Sequence, residues 1–373
     1  MSGLHDHFAD ELSGIGDQMR AGFEFWPWEH RDRMRLLVER QLDRKGKRLR
    51  SVFALLCSEL LGGDTRRVQP LAAAVELYHS ASLVLDDVQD NSTFRGRDQA
   101  VYVSENVSNA INLACIVRSF SHFPIHCSDL TPAEKDGVRR QLDMMATLVP
   151  LGQSMDIGWH QGWYDFTSVP YQETMRLKTG APFACVASGA AVTCDVESEI
   201  QERMKSLGYR VGVLYQLVDD YNDMFVNDQG AVPADLSEGK FTRPVEILIK
   251  LLCADGREEL AGRVASRLRN PDGVGGVEWI LDLMLAHSVA PILDEEIFLG
   301  AADLERDVAA LAFGGSAAAD RMVQFIYSLA GMTGKQLQQG AVPAGRRPDA
   351  PHNEPTADFS GPPGRSRESS WPT

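Results

Sequence analysis

Apolar residues recur at helical spacing along most of this chain. Between about residue 31 and residue 337 they fall three or four positions apart, and few stretches show the strict alternation of a strand. The clearest segments are 34–42, 49–61, 71–88, 110–120, 138–151, 173–192, 200–225, 244–252, 277–285 and 320–329. Helix-end and helix-start signals separate them, for example Gly62-Gly63-Asp64 and the run from Asp129 to Pro132. The pattern predicts an all-α bundle of ten or more helices.

Composition divides the 373 residues into three stretches. Residues 31–337 are interpreted as the helical domain, and residues 1–30 as an N-terminal extension whose first 20 or so positions are expected to pack loosely. The aromatic run 23–28 is expected to pack on the bundle or on a partner subunit. Beyond Gly340, prolines recur among small and charged residues, which bury too little apolar area to offset the chain entropy. Residues 338–373 are therefore predicted to be a disordered tail.

Two acidic runs follow apolar stretches that read as buried helix. Asp86-Asp87-Val88-Gln89-Asp90 and Asp219-Asp220-Tyr221-Asn222-Asp223 both have the form D-D-x-x-D. Residues three and four apart share one side of a helix, so the three carboxylates of each run are predicted to converge. Crowded carboxylates beside an apolar core need a cation among them, because repulsion and desolvation otherwise favour their protonated forms.

Magnesium is the ion that suits such a site. It prefers oxygen ligands, takes one or two carboxylates from a protein, and completes its shell with waters and substrate phosphate oxygens. A single D-D-x-x-D run is most often a solvated helix face, but two matching runs in matching apolar settings favour a metal site. The candidate ligands are Asp86, Asp87, Asp90, Asp219, Asp220 and Asp223.

Charge and composition exclude several classes of function. The net charge of −15 argues against nucleic acid as a partner, since phosphate-backbone binding needs a basic surface. The N-terminus lacks the features of a signal peptide, and no apolar run reaches the length of about 20 residues that spans a bilayer. We therefore expect a cytosolic protein with no transmembrane segment. The six cysteines form no C-x-x-C pair, so neither a zinc site nor a disulfide framework is indicated.

Basic residues accompany the acidic runs. Lys47 and Arg50 lie three apart at a helix start, where backbone N–H groups favour an anion, and together they could bind one diphosphate. His79 lies two helical turns before Asp86 on the same side of its helix. Further cations and their neighbours follow at Arg95, Arg97, Lys178-Thr179 and Lys240. Such cations could neutralise a polyphosphate leaving group.

In this order and spacing, the motifs resemble those of the trans-isoprenyl diphosphate synthases, the polyprenyl synthetase family. The resemblance covers roughly residues 31–335. It is carried by Gly46–Arg50, Glu76–Asp87, Gly152-Gln153 with Asp156, Lys178–Gly180, Gln216–Asp223, Asp235, and Gly239-Lys240 with Thr242 and Pro244. The fold it implies is an isoprenoid-synthase-type helical bundle with a central cavity between the two D-D-x-x-D helices.

The resemblance implies a condensation in which an allylic diphosphate ionises and isopentenyl diphosphate attacks the resulting cation. It implies three magnesium ions on the allylic diphosphate, held by the six aspartates, with Lys178 and Lys240 assisting and Arg95 bound to the same diphosphate. Thr179 and Gln216 would lie near the cation, while Lys47, Arg50 and His79 would bind isopentenyl diphosphate. Members of the family usually form dimers, so a homodimer is expected.

The chain departs from the family pattern beside the first acidic run. Arg95-Gly96-Arg97 stands where the family usually has Arg-Arg-Gly, so Gly96 replaces an arginine that would contact isopentenyl diphosphate, and Arg97 could substitute after a shift of the loop. Ser51 also replaces a proline, and Lys45 a glycine. A weakened isopentenyl site leaves one alternative open, a class I terpene synthase that cyclises a prenyl diphosphate on the same fold. A second alternative, of a different class, is a non-catalytic partner subunit of a synthase, which the two intact acidic runs argue against.

Product length can be predicted from the helix that carries the first run. Residues four, five and eight positions before Asp86 should line successive depths of a tunnel for the growing chain. Ser82 and Ala81 are small, whereas Tyr78 is bulky and could close the tunnel one turn lower. The predicted product is about C20, geranylgeranyl diphosphate.

Overall fold

The computed structural model describes residues 1–24, 26, 28–29, 31–44, 46–164, 171–226, 232–271, 273 and 275–331. These residues fall in one compact unit, Met1–Thr333. Several predictions lie outside them: the tail 338–373, the substitution at Lys45, and parts of the aromatic run at Phe25 and Pro27.

Helices account for nearly all of the regular structure in the described part of the chain. The α-helices are α1 (Ser2–His7), α2 (Ala9–Glu24), α3 (Asp32–Leu42), α4 (Leu49–Leu60), α5 (Gln69–Gln89), α6 (Val101–Ser104), α7 (Val107–Phe120), α8 (Phe123–Cys127), α9 (Pro132–His160), α10 (Tyr171–Met175), α11 (Ala181–Thr193), α12 (Ser198–Phe225), α13 (Ala234–Ser237), α14 (Arg243–Ala254), α15 (Glu258–Leu268), α16 (Glu278–Ala286), α17 (Val289–Ala309) and α18 (Ser316–Leu329). A 3₁₀ turn spans Thr65–Arg67 and a π-helical turn spans Arg176–Gly180. The prediction of an all-α fold is confirmed.

The described strands form one short antiparallel hairpin after the first acidic run. β1 (Phe94–Arg95) pairs with β2 (Asp98–Gln99), with Arg95 opposite Asp98. Gly96 and Arg97 are the two residues of its loop.

The centre of the bundle is α11. All of its residues except Val192 are buried, which is the pattern of a helix that is apolar on every side. It packs against α4, α9 and α12, and α5 lies alongside α4 and α7. This arrangement brings the carboxyl ends of α5 and α12, where the acidic runs lie, to the same region as the π-helical turn.

The N-terminal extension packs more tightly than its sequence suggests. Leu4, Phe8, Ile15, Met19 and Phe23 are all buried in the common core, and α2 packs against α5. The expectation of a loose start was wrong, because these apolar residues share one side of the two N-terminal helices and bury it against the bundle.

The start of α9 coincides with the helix-start signal predicted between Asp129 and Pro132. Thr131 caps α9: its hydroxyl accepts a hydrogen bond from Glu134 N at 3.3 Å, and its own N–H donates to the Glu134 carboxylate at 2.8 Å. The predicted helical segment 173–192 is helical throughout, with the π-helical turn lying inside it between α10 and α11. Among the described residues, no helix combines the length and the apolar composition that crossing a bilayer requires.

Candidate active site

The two acidic runs open on one cavity. It has a volume of about 600 Å³, and its wall includes Asp86 from α5, Asp219 from α12 and Lys178 from the π-helical turn. We call it the acidic cavity. Other predicted site residues in its wall are Arg50, Tyr78, His79, Ala81, Ser82, Arg95, Thr179 and Gln216.

Asp87 is turned away from this cavity. The residue is 1% exposed, and its carboxylate accepts hydrogen bonds from the Arg95 guanidinium, with Nε at 2.8 Å. The predicted convergence of three carboxylates therefore fails for Asp87, because the adjacent position on a helix points about 100° around the axis, into the protein. Arg95, predicted to bind diphosphate, is partly neutralised by this ion pair while still reaching the cavity wall.

Asp220 occupies the equivalent inward position of the second run. Its carboxylate accepts hydrogen bonds from Gln216 Nε2 at 3.0 Å, from the backbone N–H of Arg243 at 2.9 Å, and from the Tyr171 hydroxyl. Burial raises the pKa of Asp220 to about 7, although these hydrogen bonds lower it. Gln216 Oε1 in turn accepts from the Thr179 hydroxyl at 2.9 Å. A hydrogen-bonded chain thus fixes Thr179 and Gln216 in the wall.

Tyr171 was not identified from the sequence. It is fully buried, and burial followed by the charge of Asp220 raises the pKa of its hydroxyl well above the ordinary value, so it remains a hydrogen-bond donor. No sequence motif marks it, and only the tertiary packing of α10 against α12 brings it to the carboxylate.

The outward carboxylates lie close to the basic residues of the cavity mouth. Burial, and then repulsion from Asp86, raise the pKa of Asp90 to about 6, and the charges of Lys178 and Lys240 oppose this shift. Removal from water also raises the pKa of Asp219, while the charge of Lys47 lowers it. Asp223 accepts a hydrogen bond from the backbone N–H of Asp235 at 3.0 Å.

Two lysines face these carboxylates. Lys178 Nζ lies 2.6 Å from the Asp156 carboxylate; burial would lower its pKa, but Asp156 and Asp86 raise it overall. Lys240 Nζ lies 2.6 Å from Glu238 and 3.4 Å from Asp235. Both ammonium groups are therefore charged at neutral pH.

Close backbone packing positions Lys178. A Cβ on Gly152 would lie 2.5 Å from the backbone nitrogen of Lys178, so only glycine allows α9 to approach the π-helical turn this closely. The neighbouring Gln153 is buried in the cavity wall, and within the described residues its side-chain amide atoms have no hydrogen-bond partner. The Gly152-Gln153 pair in the sequence is the signal for this feature.

A second cavity, the basic cavity, adjoins the first. Its volume is about 450 Å³, and its wall contains Arg44, Lys47, Arg48, Arg50 and Arg97. His79 and Arg95 line both cavities, as does Arg50. The structure therefore brings together every residue that the sequence assigned to an isopentenyl diphosphate site.

Arg50 and His79 both have side-chain N–H groups that are available to bind an anion. Arg50 lies 5.4 Å from the ring centre of Phe183, and its buried Nε has no hydrogen-bond partner within the described residues. Burial lowers the pKa of Arg50, with Glu76 opposing the shift. Burial, and then the charges of Arg50 and Arg95, lower the pKa of His79 well below its ordinary value. His79 is thus neutral at pH 7 and can donate one hydrogen bond to an anion.

The hairpin explains why Gly96 stands where the family has arginine. Gly96 has φ +64°, and a hairpin with a two-residue loop requires positive φ at its first loop position. Arg97, the second loop residue, lines the basic cavity, whereas nothing lies within 4 Å of a Cβ built on Gly96. Arg97 therefore reaches the pocket in which the family resemblance would place an arginine from position 96.

Tyr78, Ala81 and Ser82 all line the acidic cavity, as the helix geometry predicted. Tyr78 is 4% exposed, and its hydroxyl donates to the backbone carbonyl of Ala146 at 3.1 Å. Their effect on product length stays a prediction.

The donor set fits magnesium. Asp86 and Asp219 are oxygen donors in the wall of one cavity, and Asp90 lies close enough to Asp86 to feel its charge. Burial first, and then repulsion from Asp86, raise the pKa of Asp90, and a bound cation would relieve both effects. Within the described residues, no three Asp, Glu, His or Cys side chains already form a metal cage. Magnesium needs no such cage, because waters and substrate phosphates supply most of its shell.

Comparison with known proteins agrees with this geometry. A geranylgeranyl diphosphate synthase of Methanosarcina mazei is 29% identical over 258 residues, which cover 66% of this chain and 78% of that protein. A short chain isoprenyl diphosphate synthase of Methanothermobacter thermautotrophicus is 28% identical over 224 residues, which cover 59% of this chain and 68% of that protein.

The fold is also that of solved structures of this kind. The crystal structure of geranylgeranyl pyrophosphate synthetase from Pyrococcus horikoshii superposes with a TM-score of 0.75 at 21% identity, covering 87% of this chain and 98% of that one. The model of the polyprenyl synthetase family matches residues 32–277, a stretch that contains both acidic runs and the basic residues around them. The chain therefore belongs to the polyprenyl synthetase family.

Proposed function

We propose that this protein is a magnesium-dependent trans-prenyltransferase that condenses isopentenyl diphosphate with an allylic diphosphate to give a longer prenyl diphosphate of about C20. The observation that carries this proposal is the pair of adjoining cavities, one acidic and one basic, which share Arg50, His79 and Arg95 in their walls. Two diphosphates bound in them would bring an allylic carbon and a terminal alkene together.

In this proposal the acidic cavity binds the allylic diphosphate. Asp86, Asp90 and Asp219 are the ligands that would hold magnesium, which when bound stabilises negative charge on the departing diphosphate. Lys178 and Lys240 add positive charge at the same mouth, and their pairing with carboxylates keeps them in place before substrate binds. Asp87 and Asp220 act indirectly, by positioning Arg95 and the Thr179–Gln216 pair.

The basic cavity would bind isopentenyl diphosphate through Lys47, Arg50 and Arg97, with neutral His79 as an additional hydrogen-bond donor. The oxygens of Thr179 and Gln216 lie in the wall where positive charge develops on the allylic carbon. The chemistry requires no protein base, since the released diphosphate can accept the proton.

Homodimer formation is also part of the proposal. Val107 and Ile111 on α7, and Met144 and Leu151 on α9, are apolar side chains exposed to 46%, 41%, 45% and 51%. We take these two helices as the candidate interface, because exposed apolar side chains are enriched at sites of protein–protein interaction. A cytosolic location remains a prediction from the sequence.

Product analysis tests the function. The purified protein is incubated with magnesium, labelled isopentenyl diphosphate and each allylic primer from C5 to C20, and products are extracted before and after phosphatase treatment. We expect labelled linear prenyl alcohols only after phosphatase, and no product when magnesium is chelated. Unlabelled cyclic products without phosphatase would instead identify a terpene synthase, and inactivity rescued by a second protein would identify a partner subunit.

A further inference from the structure

A proline inside α9 leaves one backbone carbonyl without its helical partner. Pro150 lies within α9 and has no N–H, so the carbonyl of Ala146, four residues earlier, cannot form the usual hydrogen bond of an α-helix. A carbonyl oxygen that lacks this bond must find another donor or remain in contact with water.

Two side chains from other helices supply the missing donors. The Tyr78 hydroxyl of α5 donates to Ala146 O at 3.1 Å, and Arg118 Nη2 of α7 donates to the same oxygen at 3.3 Å. The Arg118 guanidinium also lies 5.0 Å from the centre of the Tyr78 ring, at cation–π distance. Three helices thus meet at one carbonyl group.

This junction lies at the end of the acidic cavity away from the aspartates. Tyr78, Arg118 and Pro150 all line that cavity, and Val75 and Tyr78 are the wall residues of α5 farthest from Asp86. Tyr78 is buried, whereas Arg118 and Pro150 are exposed on the outer side. The junction therefore separates the apolar end of the cavity from the protein surface.

We propose that Pro150 sets the length limit of the product by freeing the Ala146 carbonyl to hold Tyr78 and Arg118 across the end of the cavity. This inference rests on the proposed function and extends the predicted role of Tyr78 to Arg118 and Pro150, which no sequence motif marks. A longer prenyl chain would have to displace the tyrosine ring and bring hydrocarbon against a charged guanidinium, which is unfavourable.

Three variants weaken the junction in different ways. Pro150→Ala restores an N–H that competes for Ala146 O, whose two lone pairs are already used by Tyr78 and Arg118. Tyr78→Phe keeps the ring but removes its hydrogen bond, and Arg118→Met keeps an unbranched apolar stem but removes the guanidinium and its charge. Two exposed neighbours provide controls: Thr147→Ala on α9 and Ser119→Ala on α7, whose hydroxyls bond only within their own helices.

Product length is measured by chromatography after phosphatase treatment. We expect each of the three variants to lengthen the main product by about one isoprene unit, since one helical turn of depth is about 5.4 Å. The controls should match the unchanged protein. If product length is unchanged in all three variants and only Tyr78→Ala lengthens the product, Pro150 and Arg118 have no role in the length limit. The size of the Tyr78 side chain would then set the limit alone.

A binding series separates this inference from the proposed function. Calorimetry with magnesium and unreactive thio-analogues of C15, C20 and C25 prenyl diphosphates requires no elongation. We expect binding to the unchanged protein to weaken at least tenfold from C20 to C25, and this loss to disappear in the three variants. If the protein incorporates no isopentenyl label, the proposed function fails. The binding series still tests the inference in that case. If the loss of affinity from C20 to C25 is the same in the three variants as in the unchanged protein, the inference is wrong.

Discussion

The two adjacent aspartates in each acidic run have different structural roles. Asp86 faces the acidic cavity, whereas Asp87 is buried against Arg95. Asp219 and Asp220 repeat this division, with Asp220 held by Tyr171 and Gln216. The outward residue of each pair is available to a cation, and the inward residue organises neighbouring side chains.

Separate substitutions of Asp86 and Asp87 should distinguish these two roles. We expect Asp86→Asn to lower kcat by about 100-fold or more, because it removes a charged ligand from the reacting site, with little change in thermal stability. Asp87→Asn should destabilise the fold by about 1 to 3 kcal/mol, because the half-buried Arg95 loses its charge-assisted hydrogen bonds to the buried carboxylate. Steady-state kinetics and thermal unfolding measure both effects. Equal stability of the two variants would contradict this division.

The raised pKa of Asp220 predicts a pH dependence of stability. Burial raises its pKa to about 7 in the folded protein, against an ordinary value of 3.8, so between these pH values the folded state holds the proton more strongly than the unfolded state. The stabilising contribution is present below about pH 4 and is lost as the pH rises toward 7.

This dependence can be measured as a difference between two proteins. Relative to Asp220→Asn, whose amide does not titrate, the unchanged protein should lose up to about 4 kcal/mol of unfolding free energy from pH 4 to pH 7 in the presence of a chelator. Denaturant unfolding at several pH values gives both curves. Parallel curves would mean that Asp220 is ionised throughout.

Short structural features decide which side chains reach the basic cavity. The β1–β2 hairpin needs glycine at its first loop position, and this places Arg97 in the cavity wall. At the start of α4, the Ser51 hydroxyl donates to the buried Glu76 carboxylate at 2.9 Å, and its N–H lies 3.3 Å from the same oxygen. Proline, usual at this position in the family, could supply neither donor.

The hairpin geometry predicts that Arg97 takes part in binding isopentenyl diphosphate. We expect Arg97→Ala to raise the KM for isopentenyl diphosphate roughly tenfold, equivalent to about 1.4 kcal/mol, and to leave the KM for the allylic substrate nearly unchanged. Arg66→Ala removes an exposed arginine outside both cavities and serves as the control. An equal rise for both substrates would indicate a general loss of structure instead.

Assembly of the protein depends on its exposed apolar side chains. If the surface of α7 and α9 forms the proposed dimer interface, Ile111→Glu combined with Met144→Glu should give a monomer, because charges would be buried between subunits. Leu299→Glu on α17 is a matched control, since Leu299 is 54% exposed. Light scattering after gel filtration measures the mass. A dimer that survives the double substitution would place the interface elsewhere.

The sequence by itself determined the helical fold and most of the candidate site. Helical spacing of apolar residues is a local property, and so is the D-D-x-x-D pattern that marks α5 and α12. The motifs around Lys47, Arg50, His79 and Lys178 also identified residues that line two adjoining cavities, and the charge of Lys240 acts on Asp90 beside them.

Only the tertiary structure decided which of these residues face the acidic cavity. Helical spacing could not show that Asp87 and Asp220 point inward, because their partners Arg95 and Tyr171 reach them through the packing of separate segments. The junction of Tyr78, Arg118 and Ala146 joins three helices, and the burial of α1 and α2 depends on a surface formed by the bundle. Such contacts between distant segments leave no periodic signal in the sequence, since each depends on where another helix lies.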